Sequence, residues 1–294
     1  MACLAVAGQP GSGTMRNSGV LAAGLALAAS LACSAQAQNA PDLALRTALR
    51  VCADPNNMPF SNQKLQGFEN KIAELIGNDL HLRLEFVWFP QVVGFVRHTL
   101  GAQACDVVMG TVSGAEMMDT TNPYYHTGYM LVTRQEDHID ADEVSDPALA
   151  GKRFGVVAST PPMDLLLRHK LLARTTSYAL TVDTRFESPP RDMLQDLVDH
   201  KIDVGLLWGP FAGYYITHGG LKLKAVVLRS ETDTPRLDYR IAMGVRPNES
   251  DWRRRLNGVL QRRQPEITDI LISYGVPLLD EQDRLIPAER GLSQ

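Results

Sequence analysis

Several features that would announce a function are missing from this chain. It has no basic excess: 29 lysines and arginines stand against 33 acids, a net charge of −4, which argues against the positive stripe of a nucleic-acid binder. Beyond the N-terminus no apolar run approaches the roughly 20 residues that a membrane span needs. The 7 histidines are scattered, with neither H-x-x-x-H nor H-E-x-x-H spacing to hold a metal. After residue 37 there is no G-x-S-x-G elbow, no phosphate loop and no glycine-rich dinucleotide fingerprint. Distant residues can still assemble a Ser/His/Asp site, since triads are defined by geometry and not by order, but no set nominates itself. The reading is a non-enzyme with no cofactor, no metal, no nucleic-acid partner and no membrane span in the mature chain.

What is present begins with a leader. Val20 to Ala32 is a 13-residue apolar core, preceded by Arg16 and followed by Ala35-Gln36-Ala37, the three parts of a secretory signal in order. The signal peptide is expected over 1–37, with Met15 as the true start because the stretch before it carries no charge. Cleavage after Ala37 leaves an exported, periplasmic protein of net charge −5, since Arg16 goes with the leader. Cysteine is scarce as well: of the 4 present, Cys3 and Cys33 fall in or before the leader. Cys52 and Cys105 remain, and two cysteines in an oxidising compartment suggest one disulfide. A reactive thiol pair is the competing reading, but it lacks close C-x-x-C spacing.

The body alternates strand-like and helix-like segments. Leu49–Ala53 reads as a strand, 67–80 as a helix with Phe68, Ile72, Leu75 and Ile76 on one face, and 82–89 as an alternating strand. A short helix at 95–100 precedes Cys105–Gly110, whose nearly continuous apolar run suits a strand buried on both faces. A second block repeats the pattern, with strands at 154–158 and 204–208 and helices after Pro161-Pro162 and Pro189-Pro190. The order predicts an α/β, two-lobed fold, each lobe a doubly wound, mostly parallel sheet. The joints fall in two extended crossover strands, 128–134 and 237–245. Lobe one is expected over 38–130 and 240–294, lobe two over 131–239, with the C-terminal helices packing on lobe one.

Longer words carry a resemblance. The first strand with its turn, GFENKIAELI (67–76), CDVVMG (105–110) and KIDVGLLWGPFAGYY (201–215) resemble the periplasmic solute-binding proteins of ABC transporters, in the branch that includes polar amino-acid binders. RVCADPNNMPFSN (50–62) and PEITDILISYGVPLL (265–279), taken with the rest, resemble more narrowly the solute-binding proteins associated with quinoprotein dehydrogenases, the methanol-oxidation J type. The resemblance implies the periplasmic-binding-protein fold and a periplasmic PQQ-dependent methanol or alcohol dehydrogenase as partner. The competing implications are a receptor that delivers a small molecule to an ABC permease, and an enzyme of the cyclohexadienyl-dehydratase kind on the same scaffold.

The departures from amino-acid binders bear on the ligand. Those proteins place an arginine in the helix after the third strand, to grip an α-carboxylate; the corresponding helix here, from Thr111 to Tyr125, holds no arginine or lysine. Where an aspartate would hold the α-ammonium, this chain has Trp208. An ordinary amino acid is therefore not the expected ligand. A bulkier ligand or a partner's segment is expected in the inter-lobe cleft, beyond the carboxyl ends of the strands. The candidate lining is Asp54, Asn56, Asn57 and Phe60 after the first strand, Trp88 and Phe89, Gly110 and Thr111, Tyr124 and Tyr125, Ser159 and Thr160, and Trp208. Plainer roles compete with several of these: an Asx turn for 54–57, helix capping for Ser159 and Thr160, a core position for Trp208. Glu69 reads as a charge complement to its helix N-terminus, and the arginines at 253–255, 262 and 263 as a solvated helix face.

Overall fold

A computed structural model describes residues 46–287 apart from Asp233. The leader, Cys3 and Cys33 lie outside the described residues. The elements run β1 (Ala48–Ala53), β2 (Asn56–Asn57), β3 (Ser61–Asn62), α1 (Phe68–Leu80), β4 (Arg83–Trp88), α2 (Phe95–His98), β5 (Val107–Val112), β6 (Asp119–Thr120) and β7 (Tyr125–Arg134). Then follow β8 (Phe154–Val157), α3 (Pro161–Arg168), β9 (Thr175–Tyr178), α4 (Pro189–Val198), β10 (Val204–Trp208), α5 (Gly209–His218), β11 (Leu223–Val227), β12 (Asp238–Val245) and α6 (Ser250–Ser273).

The strands join in the order β4-β1-β5-β12-β7-β10-β8-β9, with β11 on β7 and β6 on β12. β1 is parallel to β4 and β5, and β8 is parallel to β9 and β10. The two long strands β7 and β12 run antiparallel to their neighbours. One strand serves two sheets: Tyr125–Gly128 of β7 pair with β12, while Tyr129 onward pairs with β10 and β11. That change of partner between Gly128 and Tyr129 separates the molecule into two lobes joined by extended chain.

Each helix forms for a local reason and packs by its apolar face. α1 buries Phe68, Ile72, Ile76 and Leu80, the one-turn spacing of a core-facing stripe. Asn70 ties its start: the side-chain oxygen accepts from Gly67 N at 3.0 Å and from Asn62 N at 3.1 Å. The helix stops at His81 in the left-handed conformation, φ 54°. α6 adds Trp252, Leu256, Val259, Ile267 and Leu271 to the same core. The C-terminal helices expected from sequence are one helix of 24 residues that carries Pro265 inside it. Two further clusters, around Phe154 and around Met193, belong to the second sheet.

The helix expected between Thr111 and Tyr125 is absent. After Val112 the chain turns at Gly114, φ +84°, and reaches Tyr125 through β6 and an irregular stretch. Ser113-Gly114 and Asn122-Pro123 interrupt the segment, and it has no apolar face at helical spacing to offset their turn preference. In the second lobe β9, α5 and β11 are added to the elements that the sequence pattern predicts. Cys52 and Cys105 form a disulfide with Cα atoms 5.4 Å apart, tying the end of β1 to the turn before β5.

Candidate functional site

A cavity of about 990 Å³ lies where the two sheets face one another. The lobe-one side is made by the loop after β1, by Glu69 of α1 and by Gly110–Val112 at the end of β5. Tyr125, Tyr129, Tyr239 and Ile241 contribute from the crossover strands. The other side holds Thr160 before α3, the strap between β9 and α4, and Trp208, Phe211, Tyr214 and Tyr215 at the β10–α5 junction. Eight of the chain's 19 aromatic residues line this one space. Trp208 meets Tyr129 edge-on at 5.1 Å and Tyr239 at 6.0 Å, so rings from three strands form a continuous apolar wall.

Eight of the thirteen residues nominated from sequence line the cavity: Asn56, Asn57, Phe60, Gly110, Thr111, Tyr125, Thr160 and Trp208. Five do not, each for a visible reason. Asp54 is buried and already engaged, accepting from Asn56 N at 2.8 Å, Gln91 N at 2.6 Å and the Thr184 hydroxyl at 2.7 Å. The first of these is the Asx turn; the last reaches across to the strap. Trp88 stacks on Phe86 at 4.9 Å, because residues two apart on a strand share a face. Phe89 stacks on His98 at 5.6 Å and joins the small cluster around the disulfide. Tyr124 is buried, its hydroxyl donating to the Met109 carbonyl at 2.8 Å. Ser159 occupies the left-handed region, φ 59°, outside the cavity.

The polar residues that do reach the cavity are partly committed. Asn56 Nδ2 donates to the Thr184 carbonyl at 2.8 Å and Asn57 Nδ2 to Gln91 Oε1 at 2.9 Å. Thr160 does not cap α3 with its side chain; the hydroxyl donates back to Val157 O at 2.6 Å. Among the described lining residues the charged ones are Glu69, Glu187 and Arg191. The positions at which ionic grips are expected from sequence, 111–125 for an arginine and 208 for an aspartate, hold none, yet the cavity is not free of charge, because α1, the strap and the first turn of α4 supply it. Glu187 and Arg191 are exposed. Glu69 is half-buried, and burial, then the nearby Asp54 charge, pushes its carboxyl up to about 8. The sequence clue to Glu69 was its place one residue after a core phenylalanine, in the helix that follows a strand's carboxyl end.

Two other clusters arise only from folding. His126 contacts Asp238 at 2.8 Å and Asp283 at 3.6 Å, but Arg236 already donates to the same Asp238 oxygen, so that carboxylate has its cation. The arginine run of α6 is not simply a solvated face: Arg262 and Arg263 both bind Asp79 of α1, and Arg254 binds Asp251.

The family described as bacterial extracellular solute-binding proteins, family 3, matches residues 49–272. The chain is 40% identical to the periplasmic binding protein XoxJ from Methylobacterium extorquens AM1, with a TM-score of 0.67, covering 79% of this chain and 100% of that structure. It is 27% identical to MxaJ from Methlophaga aminisulfidivorans MPT, with a TM-score of 0.68 and the same coverage. Protein MoxJ of Methylorubrum extorquens is 29% identical over 282 residues, 88% of this chain and 93% of its own length.

Proposed function

The chain belongs to the family 3 bacterial extracellular solute-binding proteins, in the group of MoxJ-type periplasmic binding proteins, and from that membership we propose that it is a non-catalytic periplasmic accessory of a PQQ-dependent methanol or alcohol dehydrogenase. It engages its partner, or a bulky ligand, in the cleft between the lobes. The lobes we assign are 38–130 with 240–294, and 131–239, after a cleaved leader over 1–37.

The observation that carries this reading is the character of the cleft. Its walls are aromatic, and no arginine or aspartate stands at the positions where amino-acid binders grip a zwitterion. A pocket of this size and apolar lining holds a drug-sized body or a protein segment better than a small hydrophilic solute. Two strongly exposed apolar side chains accompany it, Val93 of the lining at 85% and Phe186, next in chain to the lining residue Glu187, at 80%, a pattern found at partner-binding surfaces.

Affinity capture from native periplasm tests the reading. The folded protein is expected to retain the dehydrogenase, and Trp208→Ala to weaken capture by about tenfold or more, since aromatic anchors at the centre of an interface dominate its energy. Capture of an ABC permease instead, or a stoichiometric metabolite released from gently purified protein, supports the second reading: a transport receptor for a small molecule other than an ordinary amino acid. The loss of the zwitterion grips is compatible with that reading too.

A further inference from the structure

One ionisable group of the cleft is unused by the proposed function. Glu69 stands in the first turn of α1 with its carboxyl lying against Gly110, where an added Cβ would meet Oε1 at 2.3 Å. No described residue forms a hydrogen bond or ion pair with that carboxyl. Its backbone N–H donates to the Phe60 carbonyl at 2.9 Å; Phe60 and Tyr125 line the same cavity, and the Phe60 ring contacts Phe211 at 5.1 Å. The titratable groups facing it are Asp54 in the loop after β1 and Tyr124 and Tyr125 at the start of β7; no lysine, arginine or histidine is among them.

An acid among aromatic rings, with a second acid nearby and no counter-cation, is a site in want of a positive charge. Ring faces attract cations, and a desolvated carboxylate gains most from a charge-assisted hydrogen bond. Arg191, the other charge sign in the cavity, is exposed and keeps its hydration. We infer that the cleft takes an organic ammonium ion carried on an aromatic or bulky apolar body, with the ammonium on Glu69 and the body against Phe60, Tyr125 and Phe211. The inference rests on the cleft being the binding site. Because burial raises the pKa of this carboxyl, arrival of the cation should drive its proton into solvent.

Three probes of one shape test it: benzylamine, benzyl alcohol and benzoate, titrated calorimetrically into the whole protein. Benzylamine is expected to bind at least about tenfold tighter than benzyl alcohol, and Glu69→Gln to bring it down to the alcohol's level. Binding should release a proton, seen as a buffer-dependent heat, and tighten by about tenfold per pH unit from about pH 6 to about pH 8. Thermal melting of Glu69→Gln guards against misfolding, and Gly110→Ala, which crowds the carboxyl, should weaken benzylamine selectively. Equal binding of the alcohol, preference for benzoate, or an unchanged Glu69→Gln variant overturns the inference. If all three probes bind alike and all are lost in Trp208→Ala, the inference falls and the cleft reading stands. If none binds, the inference falls, and capture of the dehydrogenase decides the cleft reading by itself.

Discussion

At the scale of single residues, two carboxyls show how burial is resolved in opposite ways. Asp106 is 2% exposed and collects three arginines: Arg46 at 2.6 Å, Arg50 at 2.7 Å and Arg246 at 3.0 Å. Burial alone would raise its pKa, but the hydrogen bonds from Arg50 and Arg246 and the charge of Arg46 outweigh it and hold the group at about 2. A carboxyl depressed in the folded state stabilises it above the ordinary value of 3.8 and loses that contribution as pH falls through about 2. Asp106→Asn leaves three guanidiniums around an uncharged amide, and urea unfolding should show a loss of roughly 3–5 kcal/mol. Glu69 has no cation and titrates the other way. Its folded state holds the proton more tightly, so stability declines as pH climbs from 4.5 towards about 8. Glu69→Gln should therefore melt like the parent near pH 4 and above it near pH 9, a crossover that calorimetric melts at the two pH values would reveal.

At the scale of elements, the first lobe is held by ties between segments distant in sequence. The disulfide joins β1 to the turn before β5 across 53 residues, and the Asp106 cluster links that same turn to Arg50 of β1 and to Arg246 just after β12. Closing a loop of that length removes unfolded-state entropy worth about 4 kcal/mol in the chain-entropy model. The Cys52→Ala/Cys105→Ala double variant should accordingly unfold at lower urea by about that free energy. The loop between Phe60 and α1 is equally constrained: an added Cβ on Gly67 would lie 2.0 Å from the Phe60 carbonyl oxygen. Backbone cannot step aside as a side-chain tip can, so Gly67→Ala should displace Phe60 from the cleft wall, with a fall in thermal stability as the measure.

At the scale of the whole molecule, the lobes are connected by β7 and β12 and touch again through the strap. Thr184 donates to both Asp54 oxygens, at 2.7 and 2.9 Å, and accepts at its carbonyl from Asn56. These bonds run between the loop after β1 and the segment before α4, so breaking them frees the strap from the first lobe. Thr184→Val removes the hydroxyl while keeping the volume. Scattering should then give a larger radius of gyration for the empty protein, and unfolding should cost about 1 kcal/mol less. An unchanged radius would mean that the crossover strands alone hold the lobes together.

Local sequence pattern determines much of this protein. The stripe of Phe68, Ile72 and Ile76 marked α1, the apolar runs marked β5 and β10, and the surviving cysteine pair suggested its own bond. Those signals are short-range: a period of 3.6 or 2 says which residues share a face, and turn residues say where the chain bends. The same signals, Gly114 and Asn122-Pro123, disfavour the helix that the family resemblance implies between Thr111 and Tyr125, and the chain there is irregular apart from β6. Only the tertiary structure decided which faces look into the cleft. Nothing local separates Trp208, which lines it, from Trp88, which stacks on Phe86 and does not. Nor does sequence show that Asp54 spends its oxygens on Thr184, 130 residues away, while Glu69 keeps its own free. Cavity lining depends on how two sheets are set against each other, and that is fixed by strand pairings and contacts between residues far apart in the chain.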